Sequence, residues 1–188
     1  MAKLQNAGVT LNTAYLRPRS RGTVRLASSN PAEAPLLDPN YWSDPHDRDM
    51  AIKGLRLARD ILNAPAMRRF VQTEILPGSQ ANSDQELFEY ACANAKTDHH
   101  PVGTCRMGQA NDPDAVVTPD LRLIGLDGLR VVDASVMPFV PSCNTNAPTI
   151  MVAEKAADMI IQSASGSLSA PTIAPATNLS DFAIPSRH

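Results

Sequence analysis

The chain has 188 residues, of which 43% are hydrophobic and 19% charged, and its formal net charge is −2. This composition is typical of a soluble globular protein, and the slight acidity argues against nucleic-acid binding, which needs basic patches. No apolar run approaches the roughly 18 residues of a membrane span. The N-terminus lacks a signal-peptide core, and three cysteines do not suggest a disulfide framework. We therefore predict a cytoplasmic protein.

The first half of the chain predicts a strand pair followed by helices. Val9–Ser28 is rich in β-formers on both sides of "RPRSRG", which predicts two antiparallel strands joined by a turn. Residues 28–47 contain four prolines and should follow the surface in an extended conformation. Apolar residues at three- and four-residue spacing then predict a helix over Asp47–Asn63. A second helix is expected through "AMRRFVQTEIL", and a capping-box pattern at Ser83 and Glu86 predicts a third.

The second half contains two short apolar runs, one of which predicts a buried strand, and one long predicted helix. Leu121–Ile124 and Leu129–Val132 flank "GLDG", and "LRVVD" is apolar on both parities, as in a strand buried on both faces. Ala147–Ser163 has proline in its first turn and an apolar stripe at Ile150, Ala153, Ala157 and Ile160. The Ser/Ala/Pro-rich remainder of the chain is expected to be disordered.

The segment "TDHHPVGTCRMG" holds two of the four histidines, His99 and His100. Zinc ligation with the cysteines is one explanation, although no CxxC or HxxxH spacing is present. A nucleophile pairing His100 with Cys105 or Cys143 is a second. The third is that both are loop histidines satisfied by backbone groups. The residues alone leave these alternatives open.

A wider pattern adds a fourth explanation. "HHPVGTCRMG", "VVTPDLRLIGLDGLRVVDASVMP" and "NTNAPTIMVAEKAADMI" occur in this order, preceded by "YLRPRSRGTVRL". Together they resemble the C-terminal region of the glucose–methanol–choline (GMC) oxidoreductases, FAD-dependent enzymes that oxidise alcohols, near the choline and alcohol dehydrogenase branch. The resemblance extends from Val9 to Ile161.

The resemblance implies an α+β fold, with part of an antiparallel-sheet substrate domain and the last strand and helix of an FAD-binding domain. It divides the chain into a leader (1–8), a substrate-domain segment (9–100), the C-terminal part of the FAD-binding domain with its active-site loops (101–162), and a disordered tail (163–188).

The resemblance also implies catalytic roles. Alcohol oxidation removes the hydroxyl proton and transfers a hydride to flavin, and a histidine is suited to the first step. By its position before "PVGT", His100 matches the family's base, and His99 stands where the family often has Tyr or His. The group that holds the substrate oxygen maps onto Asn146, with Asn144 as the alternative.

Cofactor contacts follow from the same resemblance. Asp133 would accept hydrogen bonds from the FAD ribitol, although it could instead cap the turn "DASVMP", and the backbone of Ala134 would lie near the flavin. The helix start at Ala147, Pro148 and Thr149 would face the flavin pyrimidine ring, where the positive end of the helix dipole favours negative charge. Pro148 lacks an amide hydrogen, so Ala147 and Thr149 are the expected donors. No metal is expected.

The sequence departs from the family in one respect. None of its nine glycines forms a G-x-G pair, so the dinucleotide fingerprint is absent. We therefore expect a C-terminal fragment that works on a small-molecule alcohol only together with a missing N-terminal FAD-binding domain. The alternative is a catalytically silent fragment that serves as a structural or interaction module.

Overall fold

A computed structural model describes residues 8–165 and confirms the α+β class. Its elements are β1 (Thr23–Arg25), β2 (Leu36–Asp38), α1 (Pro45–Asn63), α2 (Pro65–Arg68), α3 (Asp84–Asn94), a 3₁₀ turn (Ala134–Val136) and α4 (Asn146–Ala164). The predicted leader and the predicted disordered tail lie almost wholly outside the described residues. The last helix continues through Ala164 and so includes the first two positions assigned to that tail.

The two strands are antiparallel, with Val24 opposite Leu37. The hairpin predicted within Val9–Ser28 is therefore wrong, because only the second half of that run is a strand and its partner comes from the proline-rich segment. The first half instead crosses α1. A Cβ placed on Gly54 would lie 2.8 Å from Thr13 Oγ1, so this contact depends on glycine. The first half of Val9–Ser28 therefore packs against α1 and does not pair as a strand.

The predicted helices α1 and α3 are confirmed, and both begin at side-chain caps. The Asp44 side chain accepts a hydrogen bond from the His46 backbone N–H at the start of α1. At α3 the Ser83–Glu86 capping box is present in both directions. These caps satisfy backbone donors that would otherwise lack partners in the first helical turn.

The second predicted helix is much shorter than expected, since α2 ends at Arg68. The chain then turns so that Glu74 reaches back to α1. Its carboxylate accepts from Arg59 Nε at 2.9 Å and from Arg59 Nη2 at 2.8 Å. The planar guanidinium of Arg59 suits this two-point contact with a carboxylate. The contact lies beyond Arg68, where the helical pattern predicted from the sequence has already ended.

The C-terminal part of the described chain is built around one apolar cluster. Its buried members are Val117, Leu121, Val136, Met137, Val152 and Ala156. The segment before α4 reaches this cluster through turns and isolated bridges, such as Arg122 opposite Arg130. The strand predicted at Leu129–Val132 is therefore wrong. Leu129 is 50% exposed, and within residues 8–165 this segment has only that single-bridge neighbour.

Helix α4 packs through a face that differs from the predicted stripe. Val152 and Ala156 are buried against the cluster, whereas Ile150 is 55% exposed and Ile160 is 44% exposed. The helix is apolar on two sides, and periodicity does not tell which side meets the core. We call the exposed stripe of Ile150, Ala153, Ala157 and Ile160 the outer face of α4.

Candidate functional site

The site is organised by a contact between two loops 45 residues apart in sequence. The Nδ1 atom of His100 lies 3.0 Å from Thr145 Oγ1. His100 is half-buried, and Thr145 is buried with 8% of its surface exposed. Within the described residues, the His100 Nε2 atom has no hydrogen-bond partner. The second nitrogen of the ring is therefore left for a ligand.

The two adjacent histidines have different surroundings because the backbone is left-handed at His99, where φ is +61°. This conformation is unusual for a residue with a side chain. The His99 backbone N–H donates to Thr97 Oγ1 at 3.0 Å, and its side chain is exposed. The doublet thus divides into an outward residue and a residue held against the start of α4.

The segment after His100 is attached to the 3₁₀ turn. The Cys105 N–H donates to the Ser135 carbonyl at 3.0 Å, and the Met107 N–H donates to the Val136 carbonyl at 2.9 Å. Gly103 has a φ of +87°, and a Cβ there would lie 3.5 Å from the Met137 carbonyl oxygen. The histidine motif and "DASVMP" therefore form one packed unit.

Asp133 caps the 3₁₀ turn, as its alternative explanation proposed. Its Oδ1 accepts from the Ser135 N–H at 2.8 Å, and the side chain is exposed. The Oδ2 atom has no hydrogen-bond partner in the part of the chain that the structure describes, so one oxygen stays available to a ligand hydroxyl. The next residue, Ala134, is half-buried against the apolar cluster.

The N-terminus of α4 has open backbone donors. Thr145 is its N-cap but makes no side-chain bond to the helix. Asn146 and Ala147 are exposed, and neither backbone N–H meets an acceptor among residues 8–165. Pro148 has no N–H to donate. These two amides, together with the helix dipole, suit a carbonyl or a negatively charged group, such as the flavin pyrimidine ring.

One expected donor has to be corrected. The Thr149 N–H donates to the Thr145 carbonyl at 2.9 Å, and the Thr149 hydroxyl donates to the same oxygen at 2.7 Å. This is the first regular bond of the helix, so the Thr149 amide is not free for a cofactor. Among the first amides of α4, those of Asn146 and Ala147 are the ones without an acceptor in the described chain.

Asn144 and Asn146 flank Thr145, and both are exposed. The hydrogen-bonding contact of the His100 ring is with the residue between them. The sequence motif does not single out Thr145, because it assigns roles only to the amide side chains of Asn144 and Asn146. The signal that could have found it is a hydroxyl residue at the N-cap position of a strongly predicted helix.

The loop that leads into α4 (residues 138–145, here the Ser142 loop) is held from a distant part of the chain. Arg17 donates to Ser142 Oγ from Nε at 3.0 Å and from Nη2 at 2.7 Å. The Arg21 guanidinium lies 5.5 Å from the centre of the Phe139 ring. The "RPRSRG" segment, predicted as a turn, thus touches the loop that carries Thr145.

Other chemistries gain no support from the described residues. Over residues 8–165 there is no group of three or more His, Cys, Asp or Glu side chains that could hold a metal ion. Cys92 and Cys143 are exposed, Cys105 is half-buried, and all three are free thiols. In the same part of the chain, no helix combines the length and apolar content needed to cross a membrane.

A sequence profile identifies the class of protein to which this fold and site belong. The sequence profile of the GMC oxidoreductases matches residues 18–153. The chain therefore belongs to the GMC oxidoreductase family, and the predicted GMC-type fold is confirmed.

Individual relatives agree with this assignment. The chain is 49% identical over 155 residues to an alcohol dehydrogenase [acceptor] of Pseudomonas putida, which aligns 82% of this chain with 28% of that protein. It is 43% identical over 156 residues to the mitochondrial choline dehydrogenase of Homo sapiens, covering 83% of this chain and 26% of that protein. The chain thus spans between a quarter and a third of the length of these relatives.

Two solved structures are similar as well. Pyridoxine 4-oxidase from Mesorbium loti superposes with a TM-score of 0.73 at 37% identity, over 78% of this chain and 28% of that one. A fungal aryl-alcohol oxidase superposes with a TM-score of 0.71 at 40% identity, over 80% of this chain and 25% of that one.

The division of this chain into a substrate-domain segment (9–100) and the C-terminal part of the FAD-binding domain (101–162) stays a prediction.

Proposed function

We propose that this chain is the C-terminal part of an FAD-dependent enzyme that oxidises an alcohol CH–OH group to an aldehyde or ketone. Family membership supports this proposal, as do the names of relatives that act on alcohols and choline. The observation that carries it is the contact of His100 with Thr145, which lies immediately before the open amides of α4.

In this proposal, His100 removes the proton of the substrate hydroxyl through Nε2, the ring nitrogen that Thr145 does not contact. The Asn146 side-chain amide donates a hydrogen bond to the same oxygen as negative charge develops on it. Asn144 is the alternative for this role. When bound, FAD supplies the acceptor for the hydride from the alcohol carbon.

The cofactor would be held by the 3₁₀ turn and by the start of α4, two elements that pack against the same apolar cluster. The free Oδ2 of Asp133 would accept from a ribitol hydroxyl beside the backbone of Ala134. The amides of Asn146 and Ala147 would donate to the flavin ring, and Pro148 and Thr149 would hold the first turn in place. Each contact needs only atoms that are open in the described chain.

The outer face of α4 supports the proposed partner. Its two isoleucines, Ile150 and Ile160, are each more than two-fifths exposed, and so are the neighbouring Met151 and Ile161, on a helix that already buries another side. An apolar surface of this kind is typical of an interface. We propose that an FAD-binding domain covers it, and that this chain by itself is inactive.

The test is a chimaeric enzyme in which this chain replaces the matching segment of the Pseudomonas putida alcohol dehydrogenase. His100→Ala should lower alcohol turnover by roughly 10² to 10⁴, the usual effect of losing a general base. His99→Ala is the matched control and should have a much smaller effect. Equal losses would refute the choice between the neighbours. A chimaera that binds flavin but never turns over alcohol would favour the silent-module alternative.

The role of the asparagine is tested in the same enzyme. Asn146→Ala should lower turnover by about 10-fold while visible flavin absorbance is retained, because the side chain meets substrate oxygen and not the cofactor. Asn144→Ala is the paired variant. A larger loss from Asn144→Ala would transfer the role to that residue.

A further inference from the structure

We infer that Thr145 is a positioning residue that determines which ring nitrogen of His100 carries the proton. The inference rests on the proposed function and adds a residue to it. A neutral histidine has one N–H and one bare nitrogen, and the partner of the first decides where the second points. Only the form with the proton on Nδ1 leaves Nε2 able to accept a proton.

The backbone around His100 does not fix the ring by itself. His100 lies in an irregular segment between α3 and the 3₁₀ turn, directly after the left-handed residue His99. Within the described residues, the ring makes a single hydrogen bond, the one to Thr145 Oγ1 at 3.0 Å. The orientation of the imidazole therefore depends on this bond.

Thr145, in contrast, is firmly placed. It is buried, and its carbonyl accepts both the N–H and the hydroxyl of Thr149. These bonds tie it to the first turn of a helix whose Val152 and Ala156 lie in the apolar cluster. Thr145 thus connects the histidine to the rigid part of the fold.

The inferred tautomer gives a balanced proton inventory, with Thr145 Oγ1 as the acceptor. Nδ1–H donates to Thr145 Oγ1, so the lone pair of Nε2 takes the hydroxyl proton of the alcohol. The product is an imidazolium that keeps its Nδ1–H bond to the threonine, whose hydroxyl stays neutral throughout. FAD, when bound, would supply the acceptor for the hydride of the alcohol carbon. No further reactant is required.

The experiment compares Thr145→Val, which keeps the shape and removes the hydroxyl, with Thr145→Ser, which keeps the hydroxyl. The first readout is the ¹⁵N spectrum of the histidine rings in the ¹⁵N-histidine-labelled chain, where the two nitrogens report the tautomer. In the native chain and in Thr145→Ser, His100 should carry its proton on Nδ1. In Thr145→Val this preference should disappear.

The chain contains its own control for this spectrum. The Tyr15 hydroxyl lies 2.8 Å from His46 Nε2, so a second ring nitrogen is also held by a hydroxyl. Tyr15→Phe should change the His46 signals and leave those of His100 unchanged, while Thr145→Val should do the reverse. A His100 tautomer that is the same in all three Thr145 forms, or protonated on Nε2 in the native chain, would overturn the inference.

The second readout is turnover in the chimaeric enzyme. Thr145→Val should lower kcat by roughly 10-fold with little change in KM, since one neutral hydrogen bond is lost, and Thr145→Ser should restore most of it. If Thr145→Val loses the tautomer preference while His100→Ala remains fully active, the tautomer claim stands and the proposed base is wrong. An unchanged kcat in Thr145→Val together with an inactive His100→Ala refutes the positioning role alone.

Discussion

The helices from Pro45 to Asn94 and the turn-rich segment from Pro101 to Ala164 are held together in different ways. In the first, polar groups do much of the work, through the caps of α1 and α3 and the charged contacts of Arg59. In the second, the buried apolar cluster has no regular strand around it, and hydrogen bonds join one turn to the next.

The difference bears directly on the candidate site. His100, Asp133 and Thr145 all lie in irregular segments or at a helix end, at the margin of the apolar cluster. Loops carry functional residues most readily when a rigid scaffold holds their ends. The C-terminal segment provides that scaffold by packing its turns against α4 through the apolar cluster. Contacts such as that of Arg17 with Ser142 attach it to the rest of the chain.

Removing the main apolar contact of the helical region should have the largest effect. Leu87 is 1% exposed, so Leu87→Ala should lower the free energy of unfolding by about 2–5 kcal/mol. Hydrogen exchange followed by mass spectrometry should show faster exchange in α1 and α3 than in α4. Leu57→Ala, at a 57% exposed position on α1, is the control and should change little. Equal acceleration in α4 would mean that the two regions unfold as one unit.

The buried carboxylate of Asp47 allows a test of how far polar contacts stabilise the helical region. Burial raises the pKa of Asp47, but the Ser20 hydroxyl and the backbone N–H groups of Arg19 and Ser20 outweigh it and bring that pKa below its ordinary 3.8. The ionised form therefore stabilises the fold above about that pH, and this stabilisation is lost as the pH falls through the lower, folded value.

Asp47→Asn should consequently lower stability by about 2 kcal/mol at neutral pH, the scale of hydrogen bonds to a charged group, and by less in acid. Thermal unfolding midpoints at neutral and acidic pH provide the measurement. The control is Asp49→Asn, two residues further along α1, where the side chain is exposed and has no hydrogen bond within residues 8–165. A pH-independent loss in Asp47→Asn would contradict this account.

The contact that attaches the N-terminal segment to the C-terminal segment should contribute less than the interior of either region. Arg17→Met removes both hydrogen bonds to Ser142 and should cost about 1 kcal/mol. The expected signature is faster hydrogen exchange confined to residues 138–145. Arg19→Met is the matched control in the same segment, since its guanidinium makes no hydrogen bond within the described residues. If Arg17→Met also loosens α3, the contact has a wider role than a connection.

The exposed ion pair of the helical region should have the smallest effect, and the two ion pairs of that region should differ with exposure. The Arg56–Asp84 pair has side chains 45% and 74% exposed, whereas those of Arg59–Glu74 are 18% and 22% exposed. Arg56→Met should therefore change stability by about 0.5 kcal/mol or less. Arg59→Met should cost more, because it also removes bonds to the Gly78 and Ala81 carbonyls. Urea titrations of both variants would rank them, and the reverse order would contradict the comparison.

The features that could be predicted from the sequence are those governed by neighbouring residues. The capping box at Ser83 and Glu86 and the apolar spacing in α1 and α4 act over three or four positions, and all three helices are present. The position of His100 before "PVGT" likewise depends on a local motif. Such local signals can be recognised without knowing which parts of the chain pack against each other.

The features that could not be predicted depend on distant parts of the chain. The segment around Thr13 crosses α1 at Gly54 instead of pairing as a strand, and the partner of β1 comes from a segment whose prolines suggested no strand. Helix α4 has apolar residues on two faces, and its composition does not indicate which face packs against the core. Thr145 gains its place in the site only when the loop of His100 folds against it.

The outer face of α4 would impose a kinetic condition on the assembly proposed above. Self-association through that face would grow with the square of the chain concentration, whereas capture by the proposed FAD-binding domain would grow with the product of two concentrations. Dilute chain with an excess of that domain would therefore favour the mixed complex, and concentrated chain would favour homotypic clusters. In a mixing experiment, the order of addition would then decide the yield of the mixed complex.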